Sequence, residues 1–231
     1  MKHGYVKVCA VTPKIKVADT IYNGQSIRLK MEEALAQGAK VVVFPELCIT
    51  GYTCGDLFFH SKLIKAAETE LIRLAEYTKN LDAIFFVGLP YSIMGKLYNM
   101  TAAIAGGEIL GLVPKTNLPN YGEFGEGRYF TSGAFLETEE ILSNGQIVPV
   151  GTDLLFCCEN MPELKIGVEI GIDTEVPNPP SVSHALAGAT LMVNPSAFAA
   201  VTGMDAYRRN LITALSGRLH CAYVCASAGD G

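Results

Sequence analysis

The stretch AQGAKVVVFPEL, residues 36–47, sets the architecture expected of this chain. It begins at the end of a helical pattern over residues 21–37, which Gly38 terminates in the usual way. A β-branched run follows at once and predicts a buried strand over residues 40–44. A helix followed by a buried strand and a further helix is typical of an α/β fold. The helix residues predicted to share the buried face are Ile27, Leu29, Met31, Ala34 and Leu35.

The same alternation continues along the chain. Further helical patterns cover residues 61–78, 179–187 and 205–219, and strand-like runs cover residues 5–11, 83–88, 98–105, 109–113, 154–158, 164–170, 191–193 and 221–226. No helix separates the runs between residues 83 and 113, which predicts antiparallel neighbours and hence a mixed sheet. Residues 114–133 follow neither period, and a loop of that length in a compact domain is usually functional.

Composition excludes several classes of protein. The 231 residues suit one large domain, with 49% hydrophobic and 18% charged residues and a net charge of −5. No basic run exceeds two residues, so a nucleic-acid partner is not expected. No apolar run approaches the ~20 residues of a membrane span, and no signal peptide is recognisable, so a cytoplasmic location is predicted. Seven scattered cysteines and 4 histidines show no zinc-site spacing, so no metal site is predicted.

Two charged residues stand at the ends of predicted strands. Glu46 follows the strand over residues 40–44, and a carboxylate pressed against apolar neighbours can act as a general base. Lys115 follows the run over residues 109–113 and can stabilise a developing oxyanion. The alternatives are an ordinary strand-end glutamate and a solvated loop, in which Lys115, Glu123, Glu126 and Arg128 pair with one another.

A third strand end lies in GVEIGIDTEVPNPPS, residues 167–181. A strand that ends in a sharp turn before a helix is where α/β enzymes often hold a nucleophile, but Gly171 at this corner has no side chain. A base, a cation and a thiol nucleophile would together hydrolyse an amide or a nitrile through a thioacyl intermediate.

The motifs around these three strand ends carry a family resemblance. The chain resembles the carbon–nitrogen hydrolase (nitrilase) superfamily in a series of motifs. In order along the chain, these are FPEL, TGY, PK, LPNYGEF, GVEI, HALAGAT and VNPSA. Within it, the chain is similar to the N-terminal glutaminase domains of glutamine-dependent NAD synthetases. The resemblance runs from about residue 4 to the end. It implies an αββα sandwich with mixed sheets and a single domain over residues 1–231.

The resemblance also implies roles for individual residues. Glu46 in FPEL matches the general base, and Lys115 in PKTNLP matches the lysine that stabilises the oxyanion. Glu123 matches an auxiliary glutamate beside the triad. Tyr52 in TGY and Tyr121 in LPNYGEF match positions that line the glutamine pocket.

The chain departs from the family at the nucleophile. The family has EICED where this chain has EIGID, so Gly171 occupies the cysteine position and Ile172 replaces an acidic residue. Glu175 stands at a usually aromatic position, and Phe198 replaces a small polar residue beside the substrate. Without a thiolate this chain is predicted to be inactive or nearly so. Rescue by Cys48 or Cys54 is the alternative, although free cysteines are usually packed thiols.

Further expectations come from the resemblance alone. The domain is expected to be C-terminally incomplete and to lack the ATP- and Mg-dependent synthetase domain, and to need no cofactor itself. Its expected partners are glutamine or another small amide, a synthetase domain and further copies of itself. The alternative function is a non-catalytic nitrilase-fold module for binding or assembly.

Overall fold

A computed structural model of the chain describes residues 4–122 and 124–229. Its helices are α1 (Thr20–Ala36), α2 (Ser61–Tyr77), α3 (Pro180–Leu186) and α4 (Met204–Leu219). Its strands are β1 (Val8–Ala10), β2 (Val41–Val43), β3 (Ile84–Ile93), β4 (Lys96–Ala105), β5 (Glu108–Pro114), β6 (Glu140–Ser143), β7 (Gln146–Pro149), β8 (Phe156–Cys158), β9 (Met161–Val168), β10 (Leu191–Ser196) and β11 (Ala222–Ser227). Short 3₁₀ segments at Tyr52–Phe59, Glu126–Arg128 and Gly171–Glu175 follow strand ends or lie in loops.

The strands form two mixed sheets and one hairpin. The first sheet has the order β1-β2-β3-β4-β5, in which β1, β2 and β3 are parallel and β4 and β5 antiparallel to their neighbours. The second has the order β11-β10-β9-β8, with only β8 antiparallel to its neighbour. The run of β3, β4 and β5 confirms the mixed sheet predicted between residues 83 and 113.

The two sheets pack face to face and carry helices on their outer faces. Alternation along β2 directs Val41 and Val43 into the core between the sheets, where they join residues of the second sheet such as Val168 and Val193. Val42 points the other way and packs in the cluster that includes α1 and α2. On the far side, Met192 packs with residues that border α3 and α4. The predicted αββα sandwich is therefore confirmed.

Two details differ from the sequence expectation. Leu29 is 60% exposed rather than buried, because at 100° per residue it lies on the face of α1 opposite Ile27. The hairpin β6–β7 was not predicted, because its exposed strands have the turn Asn144-Gly145 but little apolar alternation; Leu142 and Ile147 face solvent.

The turn that carries Glu46 depends on a close approach between β2 and β3. Leu47 adopts a left-handed backbone conformation with φ of 52°, which is strained for a bulky residue. The turn passes directly over Gly88 of β3, where an added Cβ would lie 2.4 Å from the Leu47 nitrogen and 2.5 Å from the Pro45 oxygen. Only glycine at position 88 lets the backbone hold Glu46 in this place.

Replacing Gly88 with Ala is expected to lower the free energy of unfolding by about 1–3 kcal/mol, because backbone atoms must move to admit the methyl group. Gly217→Ala is the matched control, since this glycine lies in α4 with no atom within 4 Å of the added Cβ. The control should instead stabilise the chain by about 0.5–1 kcal/mol. Urea denaturation of both variants measures the difference, and equal effects would contradict the close approach.

Candidate active site

Glu46 and Lys115 form a buried ion pair where the ends of β2 and β5 meet. The Lys115 Nζ lies 2.6 Å from the Glu46 Oε1, and each side chain is about 2% exposed. Asn99 of β4 holds both residues: its side-chain amide donates to Glu46 Oε1 at 2.6 Å, and its carbonyl accepts from the Lys115 backbone nitrogen at 2.8 Å. The two residues that sequence analysis placed at separate strand ends are therefore in direct contact.

A second carboxylate completes the ion network, which consists of Glu46, Lys115 and Glu126. Glu126 is 4% exposed and accepts a hydrogen bond from Lys115 Nζ at 2.6 Å. The Tyr52 hydroxyl donates to the same Glu126 oxygen at 2.7 Å. Glu123, the predicted auxiliary glutamate, lies outside the described residues. The sequence alone presents Glu126 only as one charge of the loop, although it stands near Lys115 in sequence.

Burial shifts the protonation of this network. Desolvation is the main cause that raises the pKa of Glu46 from 4.5 to about 7, against the opposing charge of Lys115. Burial alone would lower the pKa of Lys115, but the charges of Glu46 and Glu126 outweigh it and raise that pKa. Lys115 therefore stays protonated, and Glu46 is poised to exchange a proton near neutral pH.

Gly171 lies at the third corner of the site. An added Cβ at this position would lie 2.7 Å from Glu46 Oε2 and 2.9 Å from Lys115 Nζ. The backbone φ of 54° belongs to the left-handed region that favours glycine. Asn194 of β10 and Thr174 hold the turn by donating to the Gly171 carbonyl, each at 3.2 Å. Position 171 is thus where a nucleophile would meet the base and the lysine, and it carries none.

Asp173 joins the turn of Gly171 to the loop that follows Lys115. Its carboxylate accepts from the backbone nitrogens of Thr116 at 3.2 Å, Asn117 at 2.7 Å and Ile170 at 3.2 Å. Burial raises its pKa. The sequence does not single out Asp173, because Thr116 and Asn117, two of its three partners, lie more than 50 residues away along the chain. It is a positioning residue for two of the three corners.

Two adjoining spaces lie at the site. The inner space contacts the ion network and Gly171, and no part of it admits a water molecule. The outer cavity, of about 370 Å³, lies beyond it. Phe124, Ile172 and Phe198 line both and therefore separate them.

The structure divides the predicted substrate residues between these spaces. Tyr52 lines the inner space, and Tyr121 and Glu175 line the outer cavity, while Phe198 faces both. The Tyr121 ring meets the Phe124 ring edge to face with centroids 5.9 Å apart. The predicted pocket residues are thus assembled around the site, but with a closed centre.

The cysteines proposed as stand-ins are packed thiols. Cys48 is buried among residues around α1 and α2 and donates to the Gly88 carbonyl, and burial raises its pKa to about 12. Cys54 is buried in another cluster and donates to the Thr50 carbonyl, and burial raises its pKa as well. Neither thiol is prepared as a nucleophile.

Within residues 4–122 and 124–229, no three His, Cys, Asp or Glu side chains are grouped so that they could hold a metal ion. No helix in this part of the chain is both long and apolar enough to cross a membrane.

Comparison with known proteins shows the family of this chain. The family model for carbon-nitrogen hydrolases matches residues 7–229. A glutamine-dependent NAD(+) synthetase of Mycobacterium bovis is 37% identical over 230 residues, which are 100% of this chain and 34% of that protein. The corresponding enzyme of Aquifex aeolicus is 34% identical over 78% of this chain and 28% of its own length. The chain thus spans about a third of the curated relatives it matches.

Solved structures give the same likeness. The glutamine-dependent NAD(+) synthetase of Cytophaga hutchinsonii superposes with a TM-score of 0.85 and 31% identity, over 96% of this chain and 36% of that one. An amidase from Nesterenkonia sp. shares the fold with a TM-score of 0.76 at 18% identity, over 99% of this chain and 78% of the amidase.

Replacing Glu46 with Gln is expected to flatten the dependence of stability on pH between about pH 4.5 and 7. The raised pKa means that folded chains bind this proton more tightly than unfolded chains. The free energy of unfolding of the parent therefore falls as the pH rises through this window, by up to about 1.4 kcal/mol per pH unit from this group. Urea denaturation at a series of pH values measures the slope.

The exposed Glu159 provides the control, and Glu159→Gln should keep the slope of the parent. Asp173 and Glu169, whose pKa values burial also raises, preserve part of the slope in every variant. An unchanged slope in Glu46→Gln would show that Glu46 is not desolvated as described.

Proposed function

Because this chain belongs to the carbon–nitrogen hydrolase family, we propose that it is a glutaminase-type domain that has lost the covalent step of amide hydrolysis. It is homologous to the glutaminase part of glutamine-dependent NAD synthetases. It keeps the fold and the base–lysine pair, and it acts as a non-catalytic module that binds a ligand or assembles with a synthetase domain.

An intact site of this geometry would use each corner for one step. Glu46 would take the proton of a thiol at position 171, and the resulting thiolate would attack the amide carbon. Lys115 would stabilise the oxyanion, and ammonia would leave with the proton held by Glu46. Water activated by Glu46 would then release the acid from the thioacyl enzyme.

The proposal rests on the absence of a side chain at Gly171. Thr174, the nearest hydroxyl in sequence, is turned to the Gly171 carbonyl by its 3.2 Å hydrogen bond. The inner space admits no water molecule, so neither an amide nor a hydrolytic water fits between Gly171 and the ion network as it stands. Chemistry would require a new nucleophile and an opened space.

A glutaminase that retains weak activity is the second candidate. It is favoured by the contact between Glu46 and Lys115, which is the contact that a catalytic base and an oxyanion-stabilising cation require. The closed inner space favours the non-catalytic module.

Ammonia release from glutamine distinguishes the two candidates. The parent chain is expected to release none above a blank, because loss of a nucleophile typically removes on the order of 10⁶ in kcat. Gly171→Cys supplies the thiol, and Gly171→Ala is its matched control, because it adds the same Cβ at the same strained φ without a thiol. Any release that saturates with glutamine is expected only from the Cys variant.

Saturable release by the parent or by Gly171→Ala would overturn the proposal. Release by the Cys variant alone would show that the framework is intact and that position 171 accounts for the loss. Circular dichroism of each variant establishes that it is folded.

A further inference from the structure

The outer cavity has a lining unlike that of the ion network behind it. Four of its lining side chains are aromatic, and several others are aliphatic. The aromatic residues are Tyr121, Phe124, Phe198 and Tyr207. Its volume of about 370 Å³ lies within the usual range for sites that bind small molecules.

Glu175 is the only charged side chain among the described residues that line this cavity. It is half-buried, and burial raises its pKa while the charge of Arg208 opposes the rise. No lysine or arginine of the described residues contributes to the lining. The described residues of the lining therefore offer one negative charge and four aromatic rings.

The Arg208 guanidinium, which lies near this cavity, is already paired. The Arg208 Nη2 lies 2.5 Å from the Asp205 carboxylate, and its Nη1 lies 3.4 Å from the Ser227 hydroxyl. Asp205 stands in the first turn of α4, where its charge offsets the positive end of the helix. The Arg208 guanidinium lies 5.0 Å from the centroid of the Phe198 ring, so this ring already stabilises a cation.

Aromatic rings around a single carboxylate match an alkylated ammonium ion. Such a cation is attracted to the electron-rich faces of the rings, loses little hydration on entry and needs no hydrogen-bond acceptors beyond a counter-charge. An α-amino acid fits poorly, because its carboxylate would meet Glu175 with no lining cation to pair it.

We propose that the outer cavity binds an alkylated ammonium ion of the choline class. This inference rests on the proposed function, because it assigns a ligand class to the site from which amide chemistry has been lost. Phe124, Ile172 and Phe198 keep the ligand apart from Lys115, whose charge would otherwise oppose binding.

Isothermal titration of the parent chain with three probes tests the charge requirement. Choline is compared with 3,3-dimethylbutan-1-ol, which has the same shape with carbon in place of the charged nitrogen. Choline is expected to bind at least about fivefold more tightly. Glycine betaine, which adds a carboxylate, should bind more weakly than choline because Glu175 repels it. Equal affinity for choline and its neutral isostere would overturn the proposal.

Variants locate the site. Glu175→Gln and Phe198→Leu should each weaken choline binding about fivefold or more and leave the neutral isostere unaffected. Glu159→Gln and Phe135→Leu are the matched controls, since both residues are exposed and outside the cavity, and they should bind choline as the parent does. If both cavity variants bind choline as tightly as the parent does, choline binds elsewhere and the proposed site is overturned.

The two proposals fail separately. If the parent releases ammonia and also prefers choline to its neutral isostere, the proposed loss of catalysis is overturned and the proposed cation site stands. If the parent releases no ammonia and binds choline no better than the neutral isostere, the proposed loss of catalysis stands and the proposed cation site is overturned.

Discussion

The buried ammonium of Lys115, held between the carboxylates of Glu46 and Glu126, is the contact on which the surrounding structure depends. Removing three ionic groups from water costs free energy, and this cost is offset only when the groups pair with one another and are hydrogen-bonded. That requirement joins the end of β2, the end of β5 and the 3₁₀ segment Glu126–Arg128 at one point. Asn99 and Tyr52 supply the hydrogen bonds that the ions leave unfilled.

The sandwich makes that convergence possible. Glu46 comes from the first sheet, and its backbone nitrogen reaches the Ser196 carbonyl at the end of β10 in the second sheet, 3.4 Å away. Asp173 ties the Gly171 turn of the second sheet to Thr116 and Asn117, which follow β5 in the first. The corners of the site are thus held by links across the two sheets, which fixes their geometry more firmly than any single loop would.

Local patterns predicted the alternation of helices and strands and the mixed sheet, because β-branched runs and helical periodicity act over a few residues, whereas the αββα sandwich was implied by the family resemblance. The same patterns put Glu46, Lys115 and Gly171 after strand ends, where the structure has them. The roles of Glu126 and Asp173 do not follow from local patterns, because Tyr52 meets Glu126, and Thr116 and Asn117 meet Asp173, only in the folded chain. The prediction for Leu29 was wrong, because the helical period places this hydrophobic residue on the exposed face of α1 and not on the buried one. The closure of the inner space depends on side-chain packing that no motif records.

The presence of the ion network beside a glycine at position 171 does not require catalysis. Removing Lys115 alone would leave the buried Glu46 and Glu126 without the cation they share, which typically costs about 3–5 kcal/mol, whereas a glycine at position 171 in place of a cysteine removes no member of an ion pair. Under the proposed function, position 171 is therefore a corner that can be without a side chain while every buried charge stays paired. Apolar Ile172 and Phe198 line the space over the ions, which admits no water, and this makes each ion still more dependent on the others. The packing that leaves no room for an amide beside Gly171 thus also favours the pairing of Lys115 with its two carboxylates.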